Sequence, residues 1–311
     1  MLESLRALGQ VVPLLLFFEA CRAACELIAT RALIGPDIVR LPLVRLMRGQ
    51  LLAQCFDVLL PAGRAAAESS KAILYARDLG WPLAAAIGAA LQLAVLAANT
   101  LWVVLAYALS TGWELAPAVR TGLVTYAVAI SAVVLGIAVF AAAPRVRRWC
   151  ERLPVVHASL SRFTEILFTA RARLGVALGA QLTSRVLQAL QLWAAAEALG
   201  AAPTLAQAVL TQAVYLVGAA LGELVPAQLG TTDAAFVLAA PALGLTALSA
   251  FSATLALHAV QVGVALLAGL AAFWVHAWEA KRAGAADAGP RLMTLLGGDG
   301  QPSSAHLSPD A

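Results

Sequence analysis

Long apolar stretches divide this chain into candidate membrane spans. A helix needs about 20 apolar residues to cross a bilayer, and five segments meet this requirement: 8–30, 83–110, 121–143, 174–199 and 250–277. Hydrophobic residues make up 61% of the chain and charged residues only 12%, whereas a soluble domain has about 25% charged residues. The sequence therefore predicts an all-α polytopic membrane protein with about five full spans.

Two further apolar regions, 38–79 and 203–248, are interrupted near the middle by proline, glycine and charged residues. In both, the same spacing separates a proline from a carboxylate, and the pairs are Pro61 with Glu68 and Pro226 with Asp233. Irregular, charged backbone at membrane depth is stable only when protein buries it or it lines a cavity. A duplicated break points to a transport site. Each region is predicted to form a re-entrant hairpin of two short helices, although the second could instead form two short spans, 204–222 and 232–249.

The distribution of basic residues predicts the orientation of the chain. Most of the 21 lysines and arginines lie in segments 31–77 and 145–173 and in the C-terminal tail. Because such segments usually face the cytoplasm, we expect a multi-pass protein of the cell (inner) membrane with its N-terminus outside and its C-terminus inside. Residues 8–110 and 174–278 then form an inverted repeat around the central span 121–143.

Two segments are predicted to lie outside the spans. Residues 144–173 mix arginines with large apolar residues, which suits an amphipathic cytoplasmic helix on the anionic leaflet. Alternatively, this positive charge only fixes the topology. Residues 282–311 are rich in glycine, alanine, proline, serine and aspartate, a composition typical of disorder. The transmembrane domain is therefore predicted to cover residues 1–281.

Polar residues form stripes along two of the predicted spans. Glu19, Arg22 and Glu26 share one face of the first span, and a similar stripe in the fourth consists of Gln181, Arg185, Gln188 and Gln191. A charge at the bilayer centre costs at least about 2.5–3.5 kcal/mol, so these groups must face the bundle and find partners. We expect Glu19 or Glu26 to pair with Arg22 within the helix or with Arg185 across it. The stripes form either structural ion pairs or the wall of a polar cavity.

The hairpin tips carry the remaining candidate binding residues. The first tip contributes Arg64, Glu68 and Lys71, and the second contributes Glu223, Pro226, Gly230 and Asp233. Proline ends the incoming helix, and the outgoing helix presents free N–H groups that suit an anion such as a lipid phosphate. Alternatively, the tip carboxylates only cap those helix ends.

Segment 226–233, Pro-Ala-Gln-Leu-Gly-Thr-Thr-Asp, resembles the Pro-Gly-Gly-Leu-Gly-x-x-Glu signature of the flippase-like family. That family covers the transmembrane region of lysylphosphatidylglycerol synthase and stand-alone relatives, including hopanoid-biosynthesis-associated membrane proteins. Segment 60–71 is similar to its Pro-Gly-Arg-x-Gly-Glu-x-x-Arg element. Ala227 and Gln228 stand where the family has two glycines, and Asp233 stands where it has glutamate. The resemblance implies translocation or binding of a lipid or lipid-linked anionic substrate, without aminoacyl transfer, which belongs to a soluble domain of the synthase.

Other function classes have little support in the sequence. The four histidines show no metal-ligand spacing, and there is no P-loop, dinucleotide fingerprint or nucleophile elbow. We therefore expect no cofactor, no nucleic-acid partner and no enzymatic activity, although a membrane-embedded lipid transferase is left open. The expected partners are membrane lipids with an anionic headgroup or phosphate. The alternative is an accessory subunit that docks a lipid-modifying enzyme.

The predicted topology can be tested by labelling single cysteines in a cysteine-free background. Ser159 and Ala285 replaced by cysteine should react with a membrane-impermeant reagent from the inside, and Thr111 replaced by cysteine should react from the outside. Reaction of positions 111 and 159 from the same side would contradict the topology.

Overall fold

The computed structural model describes residues 2–296 of the chain, and in this range it contains eleven α-helices and no strand. The helices are α1 (Leu2–Ile34), α2 (Leu43–Leu59), α3 (Gly63–Leu79), α4 (Trp81–Leu109), α5 (Pro117–Ala142), α6 (Pro144–Cys150), α7 (Pro154–Phe168), α8 (Arg171–Ala198), α9 (Leu205–Leu221), α10 (Thr231–Ala239) and α11 (Ala247–Leu296). Short 3-10 helices lie at Gly35–Arg40 and Pro226–Gln228. The predicted all-α class is confirmed.

Three of the described helices are long and apolar enough to cross a membrane: α4, α5 and the Ala247–Glu279 part of α11. The predicted span 8–30 falls within α1, and the predicted span 174–199 falls within α8 except for its last residue; these two helices carry the polar stripes. The count of five full spans therefore stays a prediction. Residues Met1–Ala272 form one compact unit. The second unit begins at Phe273, and its described part is the end of α11.

Helix α4 is the central element of the first unit. Half of its span is buried, against 11% of the α5 span. One apolar core includes Trp102 and Phe236 and joins α4 to α9 and α10, and a second includes Leu91 and Phe163 and joins α4 to α1, α3 and α7. Because α4 belongs to both cores, it holds the two hairpins in one bundle.

The first hairpin consists of α2 and α3 and turns sharply at Pro61. Ala62 has a left-handed backbone with φ of 51°. Gly63 follows, and a Cβ atom there would collide with the carbonyl oxygen of Asp57. Glycine is therefore required at residue 63 because α3 begins in direct contact with the end of α2.

The second hairpin consists of α9 and α10. A capping box starts α9, in which the Thr204 hydroxyl accepts the Gln207 N–H at 3.2 Å. Helices α9 and α10 cross so closely that a Cβ atom on Gly218 would lie 2.8 Å from the Thr232 Cα. Helix α10 has nine residues and is about 14 Å long, which is too short to cross a hydrocarbon core of about 30 Å. The helix length thus favours a hairpin over the alternative span 232–249.

The tips of the two hairpins meet. The Ala62 N–H donates a hydrogen bond of 2.9 Å to the Glu223 carbonyl oxygen, and α2 also packs against the 3-10 helix of the second tip. The two tips are therefore in direct contact, whereas the inverted repeat stays a prediction.

The two segments predicted outside the spans differ in part from expectation. Residues 144–173 form two helices, α6 and α7, rather than one, because Pro154 interrupts the hydrogen-bond ladder and starts a new helix. The buried face of α7, with Phe163 and Leu167, packs against α4. Helix α11 continues to Leu296 into the segment predicted to be disordered, where alanine favours helix. Residues 297–311 of that predicted tail lie outside the described residues.

Candidate functional site

A polar cavity of about 450 Å³ lies where the hairpin tips approach the polar stripes. Its wall is built by α1, α2, α4, α5, α8, α9 and α11 together with residues of both tips. Several side-chain amides line it, and the charged lining residues are Glu19, Arg22, Glu26, Asp57, Arg64, Arg185 and Glu223. Of the two interpretations of the stripes, the wall of a polar cavity is therefore confirmed, and this wall also contains ion pairs.

Glu19 joins the first polar stripe to two other helices. Its carboxylate lies 2.7 Å from the Arg22 guanidinium one turn along α1. It also accepts hydrogen bonds from the amides of Gln54 on α2 at 3.2 Å and Gln191 on α8 at 3.1 Å. A buried carboxylate is stable only when its lone pairs are occupied in this way. Glu19 therefore fixes the position of α1 against α2 and α8.

Glu26 is the centre of the largest charge cluster. Its carboxylate lies 2.9 Å from Arg64 and 3.1 Å from Lys71 on the first hairpin. It also accepts a hydrogen bond of 2.6 Å from the Gln181 amide on α8. Glu68 completes the cluster, at 2.8 Å from Lys71 and 3.3 Å from Arg64. Four ionised groups thus neutralise one another and hold α3 against α1.

Of the predicted pairings, that of Glu19 with Arg22 within α1 is confirmed, whereas the pairing of Arg185 with Glu19 or Glu26 is wrong. Both carboxylates are already bound to cations on α1 and α3. The Arg185 guanidinium instead donates a hydrogen bond of 2.9 Å to the Gln188 side chain on its own helix, and its Nε atom is buried without an acceptor. Within the described residues no carboxylate lies within 4.0 Å of Arg185. This arginine therefore presents an uncompensated positive charge in the cavity wall.

Two carboxylates from the tips also face the cavity. Asp57 comes from the last turn of α2, and Glu223 from the loop after α9. Arg185, in contrast, comes from the middle of α8. The cavity therefore offers a cation on one helix and acidic groups on the tips, an arrangement that suits a headgroup with both an anionic oxygen and hydrogen-bond donors.

Five of the predicted binding residues lie outside the cavity wall. Glu68 and Lys71 do not line the cavity, but they form ion pairs with Arg64 and Glu26, which do. The backbone at the second tip turns at Pro226 and Gly230, the latter with φ of 85°. The Asp233 carboxylate accepts the Gly230 N–H at 2.9 Å, so the capping alternative describes this residue. The five residues are Glu68, Lys71, Pro226, Gly230 and Asp233.

Sequence reasoning missed several polar residues of the wall. Gln92 and Asn99 line it from α4, and they lie two helical turns apart on one face of an otherwise apolar span, a periodicity that could have identified them. His258 on α11 lies outside the wall, and its Nε2 atom is 2.9 Å from the Thr232 hydroxyl and 3.5 Å from Asp233. This histidine holds the start of α10, a contact that no sequence spacing indicated.

The charge-lined cavity lies inside a bundle that contains helices long and apolar enough to cross a membrane. The family model described as the lysylphosphatidylglycerol synthase TM region matches residues 2–269. The chain therefore belongs to this family of membrane proteins, which is related to lipid handling. No curated protein and no solved structure matches the chain significantly.

Two of the three departures of this chain from the family signature fall on strained backbone. Ala227 and Gln228, which stand where the signature has two glycines, have φ of 53° and 55°. An L-residue in this left-handed conformation costs roughly 1–2 kcal/mol, whereas glycine adopts it freely. The tip therefore keeps the backbone conformation that suits glycine although its sequence lacks glycine there.

Replacing Glu26 by glutamine should destabilise the protein far more than replacing Arg185 by glutamine. The first change leaves Arg64 and Lys71 with only Glu68, and breaking a buried ion pair costs about 3–5 kcal/mol. The second change removes a cation that has no carboxylate partner. Thermal unfolding of the two variants in detergent measures the difference. Equal destabilisation would show that Arg185 has an acidic partner.

Replacing Ala227 by glycine should stabilise the protein by about 1 kcal/mol, because it removes left-handed strain. The matched control is Ala234→Gly on the exposed face of α10, which should destabilise by roughly 0.5–1 kcal/mol, since glycine disfavours a helix interior. The unfolding midpoints of the two variants in detergent should thus shift in opposite directions relative to the wild type. A shift in the same direction for both variants would contradict the strained conformation of the tip.

Proposed function

We propose that this protein binds the phosphate-bearing headgroup of a membrane lipid in the central cavity and moves that lipid between the two leaflets. The observation that carries the proposal is Arg185, a cation in the cavity wall that the described carboxylates leave without an ion pair. Such a cation at membrane depth is costly, and a ligand phosphate would compensate its charge.

The chemistry of the wall supports an anionic group with attached donors. A guanidinium binds phosphate through two parallel charge-assisted hydrogen bonds, and Arg22 and Arg64 lie in the same wall. Asp57 and Glu223 repel a bare anion but accept hydrogen bonds from hydroxyl or ammonium groups. The volume, about 450 Å³, lies within the range of about 300–1,000 Å³ that is usual for small-ligand sites. The site therefore suits a lipid headgroup whose tails stay among the apolar helices.

The junction of the tips supports a movement of one half against the other. The tips are joined by the backbone bond from Ala62 to Glu223, whereas Glu26 on α1 pairs with both Arg64 and Lys71 of the first hairpin. Alternating exposure of a central site by rocking of two halves is the usual mechanism of transporters with paired broken helices. We further propose the inner membrane as the location, with the N-terminus outside. The drive would be a lipid, proton or ion gradient, since the sequence has no P-loop.

Proteoliposomes test the function directly. Phospholipids with a fluorescent headgroup are incorporated, and an impermeant quencher reports how fast the inner-leaflet lipid becomes accessible. Arg185→Gln should slow this movement about 10-fold or more, because a hydrogen bond to a charged group contributes about 1.5–3 kcal/mol. The matched control is Arg120→Gln, since Arg120 is exposed at the start of α5 and donates to the Trp113 carbonyl.

The outcomes separate the alternatives. Equal rates for Arg185→Gln and the wild type would contradict a headgroup site at Arg185. Wild-type protein that binds the labelled lipid but does not accelerate its movement would favour the accessory role, in which the cavity presents a lipid to a modifying enzyme. A panel of headgroups in the same assay then identifies the lipid that is moved fastest.

A further inference from the structure

A second cavity, of about 610 Å³, lies between α4, α5 and α7 and shares no lining residue with the central cavity. Its wall is apolar, with small residues such as Ala85 and Ala89 on α4 and larger ones such as Phe140 and Phe163. The described lining includes one hydroxyl, on Ser159, and this hydroxyl already donates to the Val155 carbonyl at 2.8 Å. The cavity therefore suits a hydrocarbon chain and offers no free polar group.

The open space of this crevice is provided in part by a glycine. Gly136 on α5 lines it, and a Cβ atom there would have no neighbour within 4 Å. Small residues on the facing wall of α4 leave further space. The volume lies within the range of about 300–1,000 Å³ that is usual for ligand sites, so the crevice has room for a molecule rather than for a single methyl group.

Exposed arginines lie at the end of the bundle where this crevice is found. Arg145 and Arg148 follow the end of α5 a few residues beyond the lining residue Ala141, and Arg152 precedes the lining residue Val156 by a similar distance. Within the described part of the chain none of the three has a carboxylate within 4.0 Å, whereas Arg162 on α7 is paired with Glu165 at 3.0 Å. Their charge is thus available to an external anion, and basic residues at a membrane surface attract anionic lipids.

We infer that the crevice and these three arginines form a binding site for one anionic phospholipid of the leaflet that they face. One hydrocarbon tail fills the space between α4, α5 and α7, and the phosphate contacts Arg145, Arg148 and Arg152. The apolar wall selects a lipid tail over a polar ligand, and the arginines select an anionic headgroup over a zwitterionic one. Because the two cavities share no residue, this lipid is a resident of the bundle rather than the substrate of the central cavity.

Native mass spectrometry of the delipidated full-length protein tests the site, with titration by phosphatidylglycerol and, separately, by phosphatidylcholine. All titrations use the Arg185→Gln background, which weakens phosphate binding in the central cavity. Gly136→Leu fills the crevice, and the matched control is Gly175→Leu on α8, where a Cβ atom also meets nothing within 4 Å. A second filling variant, Ala89→Leu, enters from the opposite wall. Replacement of the three arginines by glutamine is compared with their replacement by lysine.

The expected result is a Kd for phosphatidylglycerol that rises about 10-fold or more with either filling variant and with the glutamine triple variant. Gly175→Leu and the lysine triple variant should bind as the Arg185→Gln parent does, and phosphatidylcholine should bind more weakly than phosphatidylglycerol. Unfolding midpoints without lipid should stay close to that of the parent, which shows that the variants are folded.

Three results would overturn the inference. Equal binding by Gly136→Leu, Ala89→Leu and the parent would show that no lipid occupies the crevice. Equal affinity for the two phospholipids would show that the arginines do not select the headgroup. A change of oligomeric state in the filling variants without a change in lipid binding would instead assign the crevice to a second copy of the chain.

Discussion

The need to neutralise one buried carboxylate determines much of this structure. Glu26 lies in a helix surrounded by apolar residues, where an unpaired charge would be very unfavourable. It is stable because Arg64 and Lys71 lie 2.9 and 3.1 Å away and Gln181 donates from α8. These contacts hold the first half of α3 beside the C-terminal third of α1, and the first hairpin tip, which precedes α3, contacts the second. The position of the cavity follows from the position of the tips.

Charge pairing inside the cluster also explains why Arg185 is different. Glu19 and Glu26 are bound by cations from α1 and α3, so α8 contributes mainly neutral amides to the same contacts. Arg185 is the one charged residue of the α8 stripe, and it forms none of these ion pairs. A fold that needed only structural ion pairs would be more stable with a neutral residue at this position, because desolvation of a buried charge is rarely repaid. This is the reason for proposing a ligand at Arg185.

The class of protein, the broken hairpins and the polar stripes could be predicted from the sequence, because the length of an apolar segment and the charges within it are properties of local sequence. The ion-pair partners of the charged residues in the stripes could not be predicted in this way. Arg22 and Arg185 were both expected as partners of the α1 carboxylates, and only the packing of α3 shows that Arg64 and Lys71 pair with Glu26. Gln92 and Asn99 were overlooked because two amides change the apolar character of α4 very little. The crevice at Gly136 depends on the fit of three helices, which no single segment encodes.

The bond between the hairpin tips has a consequence for genetics. It joins the Ala62 N–H to the Glu223 carbonyl oxygen, so neither side chain takes part. A scan that truncates each side chain in turn would leave this contact intact, so any effect of truncating Glu223 would report its carboxylate in the cavity wall and not this bond. Proline at position 62 is the one standard substitution that deletes the donor itself. Sequence variation at positions 62 and 223 therefore reports very little about the importance of this backbone bond. Relatives with different side chains there can keep the same bond between the hairpin tips.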